Sequence, residues 1–114
     1  MGDIIQKPWG HEDIWARTDN YVGKILFIKE GHRLSLQHHE KKEETIRVIN
    51  GLMSLELEGY DGNIKTHVLE ASMTRHIPPG TKHRMVAITD VEIVEVSTTE
   101  LDDIVRHEDD YNRA

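Results

Sequence analysis

Gln37 and His39 stand two residues apart, Glu44 follows five residues on, and His83 lies three residues past Pro79-Gly80. Together they offer an amide oxygen, two imidazoles and a carboxylate. Such a nitrogen and oxygen donor set without sulfur suits a divalent Zn, Mn, Fe, Co or Ni ion and does not choose among them. Four protein donors on a six-coordinate ion would leave positions open for substrate oxygens, as a catalytic centre requires. Residues two apart on a strand face the same way, so Gln37 and His39 share one side while Leu34, Leu36 and His38 take the other. Any single strand histidine is usually solvated or internally satisfied, and His11, His32, His38, His67 and His107 are read that way.

The elements that must position these donors are strands. The stretches 31–51 and 72–87 each read as strand, turn, strand, which would bring the donors together on adjacent antiparallel strands. Across 53–58, Met53, Leu55 and Leu57 alternate with Ser54, Glu56 and Glu58, the period-2 pattern of a half-buried strand. KILFIKE (24–30) and VEIVEVST (91–98) are apolar on both faces, which predicts strands covered on both sides. Turn signals recur at 29–31, 61–63, 78–80 and 89–90, and Asn50-Gly51 predicts a tight hairpin because both residues tolerate positive φ. Some eight or nine short strands in this rhythm predict an all-β fold, a small antiparallel barrel or jelly roll. Only 101–113 reads as a short C-terminal helical turn or tail. No linker or repeat interrupts 1–114, so one domain is expected.

Composition narrows the chemistry. The chain has no Cys, which removes disulfides and thiolate sites and fits a reducing, cytoplasmic setting. No secretory leader or membrane-length apolar run is visible. A formal charge of -7 argues against non-specific nucleic-acid binding, which depends on neutralising phosphates. A small anionic substrate remains compatible wherever basic residues converge.

Larger motifs connect these residues. Gly31, Gln37, His39, Glu44 and Gly51 resemble the first cupin motif, with Gln in place of its first His. Ser72, Pro78, Gly80 and His83 resemble the second. LSLQHH (34–39) with Lys42 and Glu44 is similar to the LSLQxH…R/K-x-E signature of type II mannose-6-phosphate isomerases, usually the C-terminal module of bifunctional mannose-1-phosphate guanylyltransferases. KPWG (7–10) is similar to that family's RPWG, HIPPGTKH (76–83) to its IPxGxxH, and DDIVRHEDDYNR (102–113) to its ending. Thr45 stands where the family commonly has His, Ala87 where many cupins have Asn, and Ser72 and Asn112 where it has Gly. The nucleotidyltransferase half and its Gly-rich loop are missing from these residues.

The resemblance implies a cupin barrel, a divalent metal on Gln37, His39, Glu44 and His83, and interconversion of mannose 6-phosphate and fructose 6-phosphate through an enediol. It points to Glu95, on the last core strand, as the base, with His76 and Lys24 as competing acid–base groups. Phosphate would be met by Arg or Lys at the barrel mouth. Arg33, Lys42, Arg84 and Arg113 are available, and the resemblance favours Arg113. Another metal-dependent cupin enzyme, or a phosphosugar-binding module without turnover, stays open. Small barrels of this kind commonly pair, so a homodimer is expected, with Trp9 and Trp15 either supplying the contact or closing the barrel.

Overall fold

In a computed structural model, residues 3–113 are described and contain eleven strands and no helix. They are β1 (Asp3–Lys7), β2 (Gly10–Arg17), β3 (Val22–Ile28), β4 (Leu36–His38), β5 (Glu44–Asn50), β6 (Met53–Glu58), β7 (Ile64–Leu69), β8 (Thr74–Ile77), β9 (His83–Ala87), β10 (Val91–Ser97) and β11 (Val105–Glu108). Two antiparallel sheets face each other, one ordered β1-β2-β3-β10-β5-β8 and the other β11-β4-β9-β6-β7. This is the all-β sandwich-like barrel that the turn spacing predicts.

The inward face of the central strands changes character along its length. Reading toward one end, β3 buries Lys24, Leu26 and Ile28, β5 buries Glu44, Ile46 and Val48, and β10 buries Glu95, Ile93 and Val91. On the opposite sheet β9 does the same with His83, Met85 and Ala87. Register sets Glu95 beside Lys24 and Ser97 beside Glu44. One end of the barrel is therefore an apolar plug, and the other gathers its charges. The plug is where burial drives folding, at about 25 cal/mol per Å² of apolar surface removed from water.

Several expectations are corrected. The C-terminal segment is not a helical turn but strand β11, which pairs with β4 through a register shift and is followed by turns. Strands β3 and β10 are covered on one face only: Phe27 and Val96 remain exposed on the outer side of the six-stranded sheet. Asn50-Gly51 makes no hairpin, because β5 and β6 belong to different sheets. It is a corner between layers, where Gly51 (φ 92°) passes so close to the Asp90 carbonyl that a Cβ would stand 2.2 Å from it. Leu34 precedes β4 and breaks the expected alternation, packing onto the core. Trp9 is buried and helps close the interior, whereas Trp15 is half exposed.

Ser72 and Asn112, the two positions where the resembling family carries Gly, both adopt left-handed backbone, at φ 75° and 56°. Asn tolerates that region well and Ser less so. The conformation that glycine would favour is thus kept without it.

Candidate metal centre

The donors converge at the charged end: Gln37, His39 and His83 come from the neighbouring antiparallel strands β4 and β9 as expected, whereas Glu44 comes from the facing sheet. Gln37 on β4 lies directly beside His83 on β9. His39 follows β4, and Glu44 opens β5 in the opposite sheet. One ligand atom from each of His39, Glu44 and His83 lies within 4.8 Å of the others, and all three residues are buried. His39 Nε2 and His83 Nε2 each stand 3.1 Å from the same carboxylate oxygen, Glu44 Oε1.

The outer nitrogens of the two rings settle what this cluster can hold. His39 Nδ1 lies 2.6 Å from the Asp103 carbonyl and His83 Nδ1 3.0 Å from the Thr81 carbonyl. A carbonyl only accepts, so each Nδ1 donates to it and each Nε2 is the nitrogen turned inward. His39 Nε2 is hydrogen-bonded to Glu44 Oε1, a carboxylate that can only accept. His83 Nε2, at the same distance, has no hydrogen bond of acceptable geometry despite its full burial. Three buried metal-capable groups that meet at one point, each imidazole fixed by a backbone carbonyl, could hold a divalent cation. Gln37 lines the same cavity, and its Oε1, accepting from Ser35 Oγ at 2.7 Å, has a second lone pair to offer.

Beside the cluster runs a chain of buried charge. Lys42 Nζ is 3.1 Å from Glu95 Oε2 and 3.7 Å from Glu44 Oε2. Burial, then the charge of Glu44, push Glu95 up to about 7 against the opposing pull of Lys42. Burial would raise Glu44 as well, but its contacts with His39 and His83 and the charge of Lys42 outweigh this and hold it well below the usual carboxylate range. For Lys42, burial opposes the charged form while Glu95 and Glu44 favour it, and the net shift is upward. Lys24 lies 3.5 Å from Glu12 at the same cavity.

The cavity itself has a volume of about 230 Å³. Lys42, Lys24, Glu95 and Arg113 line it together with Gln37, His39 and Glu44. Arg113 is held by a two-pronged contact with Asp109, at 2.9 and 3.0 Å, and lies over the Tyr111 ring. Three expected site residues are placed elsewhere. His76 pairs in register with Thr45 on the outer face of β8 and contacts Glu43, so an acid–base role for it has no geometric support. Arg33 forms a bidentate pair with Asp110 outside the cavity. Arg84 is buried on the far side of β9, donating to the carbonyls of Leu34 and Glu108. Thr45 also points outward, next to Val96, so that departure from the family pattern does not touch the cavity.

Sequence reasoning missed three contributors. Lys7 and Arg106 line the cavity from one edge strand of each sheet, β1 and β11. Asp103 accepts the backbone N–H groups of Glu40, Lys41 and Lys42 on its carboxylate while its carbonyl fixes His39. Nothing in local spacing signals partners more than 60 residues apart.

The family described as Mannose-6-phosphate isomerase C-terminal matches residues 2–109. The chain belongs to this family. Similar proteins include the mannose-1-phosphate guanylyltransferase of Escherichia coli K12, 31% identical over an alignment of 114 positions that covers 96% of this chain and 23% of the relative. The alginate biosynthesis protein AlgA of Pseudomonas aeruginosa is likewise 31% identical, over the same shares of 96% and 23%. The chain thus spans about a quarter of the length of these relatives. Solved structures confirm the cupin fold. KdgF from Halomonas sp. superposes with a TM-score of 0.77 at 22% identity, covering 88% of this chain and 90% of that one. Oxalate decarboxylase from Bacillus subtilis gives 0.81 at 14% identity, covering 92% and 30%.

Proposed function

We propose that this cupin domain is a metal-dependent phosphosugar isomerase that interconverts mannose 6-phosphate and fructose 6-phosphate. The observation that carries the reading is the meeting of the inward Nε2 atoms of His39 and His83 with the Glu44 carboxylate, beside a cavity that His39, Glu44 and the buried Glu95 line. Membership of the family supplies the sugar phosphate.

His39, Glu44 and His83 would hold the metal, with Gln37 as the fourth donor. A divalent ion there supplies positive charge for the oxygens on C1 and C2, which makes the C2 proton acidic enough to remove. Glu95 takes that proton. The C2–H electron pair becomes the C1–C2 double bond of an enediol as O1 gains a proton. The same carboxyl then returns the proton to C1 while O2 loses its own and becomes the ketone. Lys24, paired with Glu12, is the group placed to move the hydroxyl proton between O2 and O1. Lys42 anchors Glu95 through Oε2. Trp9, Leu26, Leu34 and Met85 wall the cavity and keep bulk water from the enediol. Arg113, Arg106 and Lys7 would receive the phosphate.

The test follows both sugar phosphates by NMR in deuterated buffer, with purified protein, each divalent metal in turn and a chelator control. Metal-dependent conversion with solvent deuterium entering at the transferred position is the expected result. A folded sample that binds metal and converts neither sugar overturns the proposal.

A further inference from the structure

Two histidines outside the central cluster meet on the outer side of the five-stranded sheet. His38 ends β4, and alternation turns its ring away from the cavity that Gln37 lines. His107 lies on β11 at the register shift between Arg106 and Glu108, without a register partner on β4. A bulge of this kind leaves one residue unpaired and re-aims its side chain. Here it brings His107 Nε2 to 2.8 Å from His38 Nδ1, with the ring centroids 5.0 Å apart. We propose that His38 and His107 form a second, outer binding site for a late divalent transition metal, of the copper, nickel and zinc class.

The other nitrogen of His38 supports this. His38 Nε2 lies 2.9 Å from Glu40 Oε1. A carboxylate only accepts, so Nε2 donates to it and Nδ1 is the nitrogen turned toward His107. An imidazole held by a carboxylate through its second nitrogen is the arrangement that orients metal-bound histidines. Two nitrogens at about 2.0–2.1 Å from one ion stand roughly 3 Å apart, so the rings need open only slightly to admit it. Imidazole nitrogen suits zinc, copper and nickel. The His38 side chain is 17% exposed and His107 lies at the surface, so water can fill the remaining positions on the ion. The other outlying histidines are engaged differently: His11 and His32 stack on Phe27 and Tyr111, and His76 contacts Glu43.

Such a site would clamp β11 to β4. Arg106 and Gln37, each next in sequence to one of the two histidines, face each other in register and line the cavity. An ion holding their neighbours together would hold both of them in place. With two protein donors against three or more at the centre, the outer site should fill only at metal concentrations far above those that saturate the centre.

Equilibrium dialysis of the full chain against nickel at such concentrations counts the bound ions. The unmodified chain should hold one ion more than His107→Gln. Glu44→Gln, which impairs the centre, should likewise hold one more than Glu44→Gln combined with His107→Gln. The two sites therefore fail separately, because the outer count is a difference within each background. His11→Gln should leave the count unchanged. A second reading leaves the outer site intact: in Glu44→Gln, paramagnetic nickel should broaden the His38 and His107 ring signals before those of His11, His32 and His67. Equal counts with and without His107 in both backgrounds would overturn the proposal and reduce the contact to a hydrogen bond between two rings. Loss of the ion in His11→Gln, or broadening that begins at another histidine, would overturn it as well.

Discussion

Lys42 is the residue on which the charged end of the barrel balances. Its ammonium faces two buried carboxylates, Glu95 at 3.1 Å and Glu44 at 3.7 Å, with almost no solvent to screen any of them. Removing one partner of a buried ionic group leaves the rest uncompensated, at a cost of about 3–5 kcal/mol. Lys42→Met should therefore lower the free energy of unfolding by that order in metal-free protein, read from urea denaturation; an unchanged midpoint would refute the account. Glu95→Gln separates chemistry from stability. It removes the repulsion with Glu44 but also the proposed proton acceptor. Metal binding and folding should survive it, while isomerase turnover falls about 10²–10⁴-fold. Unaltered turnover in this variant would take the base assignment away from Glu95.

Individual elements show how far the sequence speaks. The convergence of His39, Glu44 and His83 was legible because two short motifs, 37–44 and 78–83, each place their metal-capable side chains at a strand end. The strands were legible because burial imposes period 2. The partition of strands between sheets was not, since Asn50-Gly51 specifies positive φ equally well for a hairpin and for a corner between layers. Arg84 misled for a related reason. Its basic side chain next to His83 suggested a phosphate ligand at the barrel mouth, but adjacent strand residues face opposite sides, and here Arg84 is spent on the Leu34 and Glu108 carbonyls. Arg84→Met should accordingly speed hydrogen exchange in β11 and lower stability by about 1.5–3 kcal/mol, the range for hydrogen bonds to a charged group. Exchange in β11 as slow as in the unmodified chain would show that other contacts hold the strand.

Asp103 governs the loop after β4 in the same long-range manner. Its three backbone hydrogen bonds hold it at about 2, against an ordinary 3.8. A depressed carboxylate stabilises the fold fully above its unfolded pKa, and the effect fades as pH falls toward the folded value. Asp103→Asn should thus flatten the loss of stability between about pH 4 and pH 2, as well as weakening metal binding through His39. A denaturation series across that window checks the first effect and metal titration at neutral pH the second.

At the scale of the whole molecule, the centre ties the two sheets together. His83 belongs to the five-stranded sheet, with His39 just beyond its strand β4, and Glu44 belongs to the six-stranded sheet. Without a cation, the two imidazoles and the carboxylate are buried against one another at the charged end of the barrel. With one, the same atoms bridge the layers, and the unfolded chain, in which these donors are scattered, has no comparable site. Free metal at a hundred times its dissociation constant should then add about 2.7 kcal/mol to stability. For a domain of this size that is a rise in melting temperature of roughly 10 °C. Glu44→Gln removes the only anionic donor of the cluster and should abolish the metal-dependent rise, so melting curves with metal and with chelator would coincide. If the unmodified chain melts at the same temperature under both conditions, the convergence at Glu44 Oε1 is not a metal site, and the isomerase reading fails with it.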